Sequence, residues 1–196
     1  MPRRKHMRAL EVLKEADVFH ISVLERTVGE GYARLLAHKL CESGKLTRLL
    51  PGWYTFKSTP YLAWIPLRGY VGLGHAAFYW GMWSQAAVIT FLTPRRVRTG
   101  ERVIAGERVL VRRITPRMLF GLTYVELDGV RVRISDPEKT LVDLAYFNHS
   151  ALSEVLEGAS SLVNVEKLRS YVRAALARGG YRRRKIRELP RLLGKA

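Results

Sequence analysis

The hydrophobic positions of the N-terminal third recur with a helical period. Within residues 3–16, Met7, Leu10 and Leu13 are spaced three apart and separated by charged residues, which predicts an amphipathic helix. A short apolar stretch, VFHIS, interrupts this pattern at residues 18–22. The first predicted element is therefore a surface helix that packs through one side.

Two further helices are predicted on either side of Gly29. Ser22 is a suitable N-cap, and Glu25 three positions later completes the capping-box pattern of a short helix that ends at Gly29. A third helix is predicted from about Glu30 to Glu42, with a glycine just past its end. Helices joined by a glycine turn in this way form a helix-turn-helix pattern.

The third predicted helix has two unlike faces. At about 100° of rotation per residue, Tyr32, Leu36 and Leu40 fall on one face of this helix. Arg34 and His38 fall on the opposite face. We therefore expect one side to pack against the protein and the other to present a cation and an imidazole.

A β-hairpin is predicted directly after this helix. Residues 45–56 place a Pro-Gly turn at positions 51–52 between two short runs rich in Leu, Thr and aromatic residues. Leu46, Arg48 and Leu50 have the same parity, so Arg48 reaches solvent only at the rim of the sheet or through a β-bulge. Three helices followed by a hairpin predict a winged helix-turn-helix, in which the third helix enters the major groove of DNA.

The remaining chain predicts a mixed α/β domain, so the fold class of the whole is α+β. We assign residues 1–58 to the winged helix-turn-helix, residues 59–73 to a linker with no clean period, and residues 74–196 to a second domain that ends in helices. An aromatic-rich helix is predicted at residues 74–85, and several strands follow it. The clearest hairpin has an Asp-Gly pair at positions 128–129, which favours a type I′ turn.

A second capping box is predicted at the start of the helix that follows this hairpin. Ser135 and Glu138 have the capping-box spacing, and Pro137 is tolerated in a first helical turn. Asp136, Glu138 and Lys139 also match the acidic-plus-lysine set of a metal-dependent nuclease. Carboxylates in a first helical turn are explained more simply by capping of free amides and by the helix dipole.

The chain is strongly basic. It has 196 residues with 34 Lys and Arg against 17 Asp and Glu, which gives a formal net charge of +17. Such an excess favours a polyanionic partner, most often nucleic acid, over a membrane surface. The most basic cluster comprises Arg182, Arg183, Arg184, Lys185 and Arg187. This cluster is a candidate contact for DNA or for a toxin.

Composition also limits the compartment and the chemistry. One cysteine, Cys41, allows no disulfide within the chain, which fits a reducing compartment. No apolar run is long enough to span a bilayer and no secretory signal pattern is present, so we expect a cytoplasmic protein. The five histidines lack metal-ligand spacing, and no Ser-His-Asp order occurs. We therefore expect no enzyme activity, no metal site and no cofactor.

Three stretches together resemble the AbiEi antitoxins of type IV toxin–antitoxin systems, which are winged-helix transcriptional regulators. GYARLLAHKLCESGKLTRLLPGWYTF (residues 31–56) is similar to the recognition helix and wing of that family. GLGHAAFYWGMWSQ (72–85) is similar to the first helix of its second domain. VRISDPEKTLVDL (132–144) is similar to its most characteristic strand–helix junction. The resemblance spans nearly all of residues 1–193.

The resemblance implies a first domain that binds an inverted-repeat operator in double-stranded DNA and represses its own operon. It implies a second domain that counters a toxin of the nucleotidyltransferase class, without catalytic activity. Pro51 stands where the family usually has a basic residue, which shifts the expected wing contact to Lys45 and Arg48. The candidate DNA-binding side chains are Arg34, His38 and Lys39 in the third helix, Lys45 and Arg48 in the hairpin, and Arg3, Arg4 and Lys5 in the N-terminal arm. An alternative interpretation is a protein-interaction module that masks the toxin directly, with DNA binding secondary.

Overall fold

The structure is a computed structural model that describes residues 10–177 and 183–194. The N-terminal part of the chain combines helices with a three-stranded sheet. Residues 10–14 are helical (α1). The elements that follow are β1 (Phe19–His20), α2 (Ile21–Val28), α3 (Glu30–Glu42), β2 (Thr47–Leu50) and β3 (Trp53–Thr55). The bounds of α3 are those predicted from the sequence. Gly29, whose φ of 86° is unfavourable for other residues, separates α2 from α3.

The N-cap of α2 differs from the prediction. His20, the last residue of β1, caps the helix, and its Nδ1 accepts a hydrogen bond from the backbone N–H of Ser22 at 3.3 Å. The Ser22 hydroxyl lies 2.9 Å from the same ring nitrogen. The prediction of Ser22 as the cap was therefore wrong, because the chain is already helical at Ile21 and the extended residue before it is His20.

The packed face of α3 centres on two small side chains, Ala33 and Ala37, which are buried. Leu36 and Leu40 are partly buried beside them, whereas Tyr32 is 46 % exposed. The predicted placement of Tyr32 on the packed face was therefore wrong. Alanines at the contact let neighbouring elements approach α3 closely, and the larger side chains lie at the edge of that contact.

The hairpin β2–β3 contains a β-bulge that turns Arg48 outward. The three-stranded sheet has the order β1-β3-β2, and Arg48 and Leu50 pair with consecutive residues of β3, so Leu49 has no partner of its own. Arg48 is exposed, while Leu49 and Leu50 are buried. The parity of the apolar positions allowed a rim position or a bulge, and the structure has the bulge.

A six-stranded mixed sheet of order β6-β7-β5-β4-β9-β8 supports the second part of the chain. Its strands are β4 (Tyr70–Val71), β5 (Ile89–Thr93), β6 (Gly100–Ile104), β7 (Glu107–Arg113), β8 (Leu122–Leu127) and β9 (Val130–Ser135). β4 runs parallel to β9 and β5 runs parallel to β7, and the other neighbours are antiparallel. The predicted type I′ turn is present, because Asp128 and Gly129 have φ values of 49° and 68°.

Both faces of the inner strands β4 and β5 are covered. The helices are α4 (Trp64–Leu67), α5 (Leu73–Tyr79), α6 (Pro137–Tyr146), α7 (Leu152–Ala159), α8 (Val165–Ala177) and α9 (Arg183–Leu193). Side chains of α5 to α9 pack on Tyr70 and Leu92 of one face. Val71 and Phe91 of the other face pack against side chains from residues 49–67. In the described ranges no helix is long and apolar enough to cross a bilayer.

Residues 59–73 do not form the predicted linker. Tyr61–Ala63 is a short 3-10 helix, Trp64–Leu67 is α4, and Tyr70–Val71 is an inner strand of the six-stranded sheet. Most side chains of this segment are buried. The segment lacks a period because protein covers it on every side, and such a stretch needs no polar face.

Asp136 caps α6, one residue later than the predicted cap. Its Oδ1 accepts a hydrogen bond from the backbone N–H of Lys139 at 2.8 Å. Ser135 instead ends β9, and its hydroxyl lies 2.8 Å from the hydroxyl of Thr140. The predicted capping box of Ser135 with Glu138 was therefore wrong, and the Glu138 carboxylate contacts the start of α8 instead.

Candidate nucleic-acid interface

The solvent-facing side of α3 carries three side chains predicted to meet DNA. Arg34, His38 and Lys39 are all exposed, and the Arg34 and His38 side chains are 67 % and 69 % accessible. Arg34 and His38 lie one helical turn apart and therefore share a face of α3. Tyr32 and Leu35 are also about half exposed on this helix, at 46 % and 49 %. The exposed side of α3 thus combines cations with apolar surface.

Carboxylates of α2 and α3 already pair with two of these side chains. Arg34 Nη2 lies 2.6 Å from Glu30 Oε1, and Arg34 Nε lies 3.5 Å from Glu25 Oε1. His38 Nδ1 lies 3.2 Å from Glu42 Oε2. Exposed ion pairs of this kind stabilise a protein by roughly 0–1 kcal/mol. An incoming phosphate can therefore replace these carboxylates at a small cost in free energy.

The hairpin brings two further cations to the same unit. Lys45 is exposed in the turn after α3, where its backbone N–H donates to the carbonyl of Leu40 at 2.9 Å. Arg48 is exposed at the bulge. Leu46, two residues before Arg48, donates its backbone N–H to the carbonyl of Leu40 at 3.1 Å and packs in one cluster with Leu40 and Cys41, so Arg48 lies near the C-terminal part of α3. The structure therefore brings Arg48 and α3 together.

The other predicted contacts lie elsewhere or outside the described residues. Arg3, Arg4, Lys5 and Arg182 are outside the described residues, and Arg183 is described only as backbone. The remaining three, Arg184, Lys185 and Arg187, are exposed on α9. Arg184 pairs with Glu188 at 3.1 Å, and Lys185 donates to the side chain of Asn148. Because α9 packs against α6, α7 and α8, this cluster belongs to the second part of the chain and not to the α3 surface.

A buried ionic cluster forms between α6 and β4, and it was not predicted from the sequence. Lys139 pairs with Asp143 one turn along the helix, and both side chains are fully buried. The Tyr70 hydroxyl donates to Asp143 Oδ2 at 2.8 Å, and Lys139 Nζ donates to the Tyr70 oxygen at 3.1 Å. Burial lowers the pKa of Lys139 and raises the pKa of Asp143, against their mutual attraction. The only signal in the sequence was a Lys and an Asp at i and i+4 within an apolar helix.

The two carboxylates considered for a nuclease make structural contacts. Asp136 accepts a hydrogen bond from the Tyr171 hydroxyl at 2.8 Å and pairs with Lys167 at 3.1 Å. Glu138 pairs with Lys167 at 2.7 Å and accepts a hydrogen bond from the Asn164 N–H at 2.9 Å. These contacts tie the start of α6 to α8. Among the described residues, no three His, Cys, Asp or Glu side chains are arranged to hold a metal ion.

A polar groove of about 620 Å³ lies between the β6–β7 and β8–β9 turns, and its lining includes Arg108 and Asp128. The Tyr61 hydroxyl lies 2.9 Å from His75 Nε2, and His75 Nδ1 lies 3.1 Å from the carbonyl of Ala87. Since a carbonyl only accepts, Nδ1 carries the proton and Tyr61 donates to Nε2. Burial lowers the pKa of His75 and raises the pKa of Tyr61 to about 12, so both groups are neutral near pH 7. No sequence motif marks this pair.

Comparison with known proteins gives a likeness of fold alone. No model of a known protein family matches the chain, and no curated protein matches it. The crystal structure of the RV2827C protein from Mycobacterium tuberculosis is similar, with a TM-score of 0.54 and 18 % sequence identity. The match covers 94 % of this chain and 80 % of that one. The α+β architecture is therefore shared over almost the whole chain.

Proposed function

We propose that residues 1–58 form a winged helix-turn-helix that binds double-stranded DNA, with α3 in the major groove and the β2–β3 hairpin as the wing. The observation that carries the proposal is the position of Arg48, which a bulge turns to solvent two residues after the backbone hydrogen bond of Leu46 to α3. The helix and the hairpin thereby present cations to a common partner. This order of elements matches the docking geometry of helix-turn-helix proteins, in which one helix reads the groove and flanking elements hold the backbone.

Phosphate contacts supply most of the affinity in this proposal. Each phosphate that a Lys or Arg neutralises adds about 0.9 to the slope of log affinity against log salt. Lys39, Lys45 and Arg48 are exposed, and Arg34, whose side chain is 67 % accessible, pairs with the exposed Glu30 and the half-buried Glu25. Binding should therefore weaken steeply as salt is raised, and the cost of releasing Arg34 should be small.

The biological role that we propose is that of a cytoplasmic transcriptional repressor and antitoxin. The DNA would be an inverted-repeat operator upstream of the protein's own reading frame, and the toxin a nucleotidyltransferase. This part of the proposal rests on the resemblance of residues 31–56, 72–85 and 132–144 to the AbiEi antitoxins.

The DNA-binding proposal is tested by fluorescence anisotropy with duplexes of about 30 bp, long enough for two half-sites, that tile the DNA upstream of the reading frame. We expect one duplex to bind more tightly than a scrambled duplex. The variant Arg34→Gln/Arg48→Gln should weaken that binding about tenfold or more, because both side chains are assigned to the contact.

The matched control is Arg169→Gln/Arg173→Gln, which removes the same charge from the exposed side of α8. This control should bind within about twofold of wild type, since long-range electrostatics alone is screened over about 8–10 Å. Equal affinity of wild type and Arg34→Gln/Arg48→Gln would show that this surface does not contact DNA.

A second candidate function is direct masking of an acidic protein, such as the toxin, by α9. The observation that favours it is that α9 buries Ile186 and Leu189 and exposes Arg184 and Arg187 on its other side. One face of the helix is thus fixed to the core and the other presents cations.

The antitoxin proposal is tested by expressing the neighbouring reading frame with and without this protein. Growth arrest relieved by co-expression supports it, and arrest that persists contradicts it. The variant Arg184→Gln/Arg187→Gln separates the two candidates. If Arg184→Gln/Arg187→Gln no longer relieves growth arrest but binds DNA as wild type does, α9 contacts the toxin. If only Arg34→Gln/Arg48→Gln fails to relieve growth arrest, the antitoxin effect depends on repression.

A further inference from the structure

Four arginines gather at one edge and end of the six-stranded sheet. Arg113 ends β7 beside Thr93, the last residue of β5. Arg96 and Arg98 lie in the segment that follows Thr93 and leads to β6, and Arg102 lies within β6, the edge strand. We call Arg96, Arg98, Arg102 and Arg113 the arginine edge. Arg96, Arg98 and Arg113 are exposed, and Arg102 is partly buried.

The charge of the arginine edge is not neutralised within the described part of the chain. There, none of its guanidinium groups has a carboxylate at ion-pair distance, whereas Arg34 has two such partners. Arg98 lies just before β6, which begins at Gly100, and Arg102 lies within that strand. Burial, and then the charge of Arg98, lower the pKa of Arg102. Like charges gathered without counterions repel, and such a surface is best satisfied by an external anion.

The arginine edge adjoins the hairpin that carries Arg48. Strand β2 lies against β6, and Leu49 and Leu50 are buried in the same core as Ile104. Arg102, two residues before Ile104, points to the same face of the sheet. Because Arg48 directly precedes Leu49, the exposed cation of the hairpin lies at the junction between the two surfaces. Packing of Leu49 and Leu50, and not a flexible linker, sets their relative position.

We propose that the arginine edge is a second phosphate-contact surface for the DNA duplex that α3 binds. This inference rests on the proposed function. Guanidinium groups match phosphate oxygens with two parallel hydrogen bonds. Residues 94–102 contain no aromatic residue, so this segment offers charge and no aromatic anchor beside its arginines. A duplex in contact with α3 and Arg48 would continue along this edge, and its backbone would meet cations at several phosphates beyond the wing.

The test measures the salt dependence of DNA binding by the full chain. The variant Arg96→Gln/Arg98→Gln changes two exposed arginines and leaves Arg95, which donates to the carbonyl of Pro66 at 2.5 Å. On a duplex of about 30 bp from upstream of the reading frame, we expect the salt slope to fall by about 2 and the affinity to fall about tenfold at low salt. The control Arg169→Gln/Arg173→Gln should retain the wild-type slope. Thermal unfolding followed by circular dichroism verifies that each variant is folded.

The outcomes distinguish this inference from the proposed function. A smaller slope of log affinity against log salt in Arg96→Gln/Arg98→Gln, with a wild-type slope in the α8 control, supports a second contact surface. A wild-type slope in Arg96→Gln/Arg98→Gln, together with weak binding by Arg34→Gln/Arg48→Gln, overturns the inference and leaves the proposed function standing. Such a result would agree with an acidic protein as the partner of the arginine edge. If the wild-type chain binds no upstream duplex, both proposals fail.

Discussion

Replacing Lys139 by Met should strongly destabilise the protein, because it leaves a buried carboxylate without its cation. Lys139 and Asp143 are fully buried, and the Tyr70 hydroxyl donates to Asp143 at 2.8 Å. Breaking a buried ion pair by removing one partner costs about 3–5 kcal/mol. Since the free energy of unfolding of a native protein is about 5–15 kcal/mol in total, this loss is a large fraction of the stability.

Two further variants establish the origin of that loss. Lys139→Met/Asp143→Leu removes both charges, and we expect it to recover part of the loss, since apolar replacements of buried pairs are often neutral or stabilising by about 1–4 kcal/mol. The rest remains because the buried Tyr70 hydroxyl loses its acceptor, at a cost of about 1–3 kcal/mol. Lys57 and Asp17 form a Lys–Asp pair whose side chains are 40 % and 47 % exposed. The same change there, Lys57→Met, should cost less than about 1 kcal/mol.

The loss in Lys139→Met should depend on pH with a defined sign. Burial raises the pKa of the Asp143 carboxyl, and the Lys139 ammonium opposes that rise. Without Lys139 the folded-state pKa should lie further above the unfolded value of about 3.9. The folded variant then binds a proton more readily than the unfolded chain, so its stability falls as pH rises through the interval between the two pKa values.

Urea unfolding followed by tryptophan fluorescence, at pH 7 and again at a pH near 5, measures these free energies. The reasoning would be refuted if Lys139→Met lost no more stability than Lys57→Met. It would also be refuted if the double variant were less stable than the single variant, or if lowering the pH failed to recover part of the loss.

Three more predictions follow from local geometry. Gly129→Ala, where φ is 68° and no atom lies near the added Cβ, should lower the free energy of unfolding by about 1–2 kcal/mol. Gly121→Ala, where φ is 63° and the added Cβ would lie 2.6 Å from a ring carbon of Tyr171, should lower it by about 1–3 kcal/mol more. Urea unfolding measures both losses. Burial would raise the pKa of Glu138, but the hydrogen bonds from Lys167 and from the Asn164 backbone N–H together outweigh burial, so the pKa of Glu138 is lowered. Wild type should therefore lose more stability than Glu138→Gln as the pH falls below about 4.3. Glu30→Gln removes the carboxylate 2.6 Å from Arg34 and should tighten DNA binding by up to about fivefold. Unchanged or weaker binding, measured by fluorescence anisotropy, would contradict the assignment of Arg34 to the DNA contact.

Features that depend on neighbouring residues in the chain were predictable from the sequence. The bounds of α3 follow from a glycine on each side and a helical period between them. The β8–β9 turn follows from Asp128-Gly129, because these residue types accept the positive φ that a two-residue turn needs. The bulge at Arg48 was one of two options that parity allowed, and the burial of Leu49 decided between them.

Features that depend on distant partners were not predictable. Residues 59–73 read as a linker because distant elements bury most of their side chains, which removes the polar face that marks a surface element. The burial of Lys139 was not predictable from the sequence, because the Tyr70 hydroxyl that its ammonium contacts lies in another element. The helix caps were misplaced by one or two residues, since Ser and Asp are similarly good caps and only the backbone angles select His20 and Asp136.

The hairpin strand β2 contributes to two cores, and this sharing gives the molecule its geometry. Leu46, just before β2, packs with the N-terminal helices, while Leu49 and Leu50 pack with the six-stranded sheet. A regular strand would place Leu46, Arg48 and Leu50 on one side, and the bulge breaks that alternation. The extra residue lets the strand change partners between Leu46 and Leu49 and leaves Arg48 as the residue that belongs to neither core. The exposed Arg48 therefore lies at the junction, where the burial of Leu49 and Leu50 holds the hairpin against the sheet edge. A hairpin that only presented a charge would need no such burial, so β2 also sets the position of α3 relative to the sheet edge.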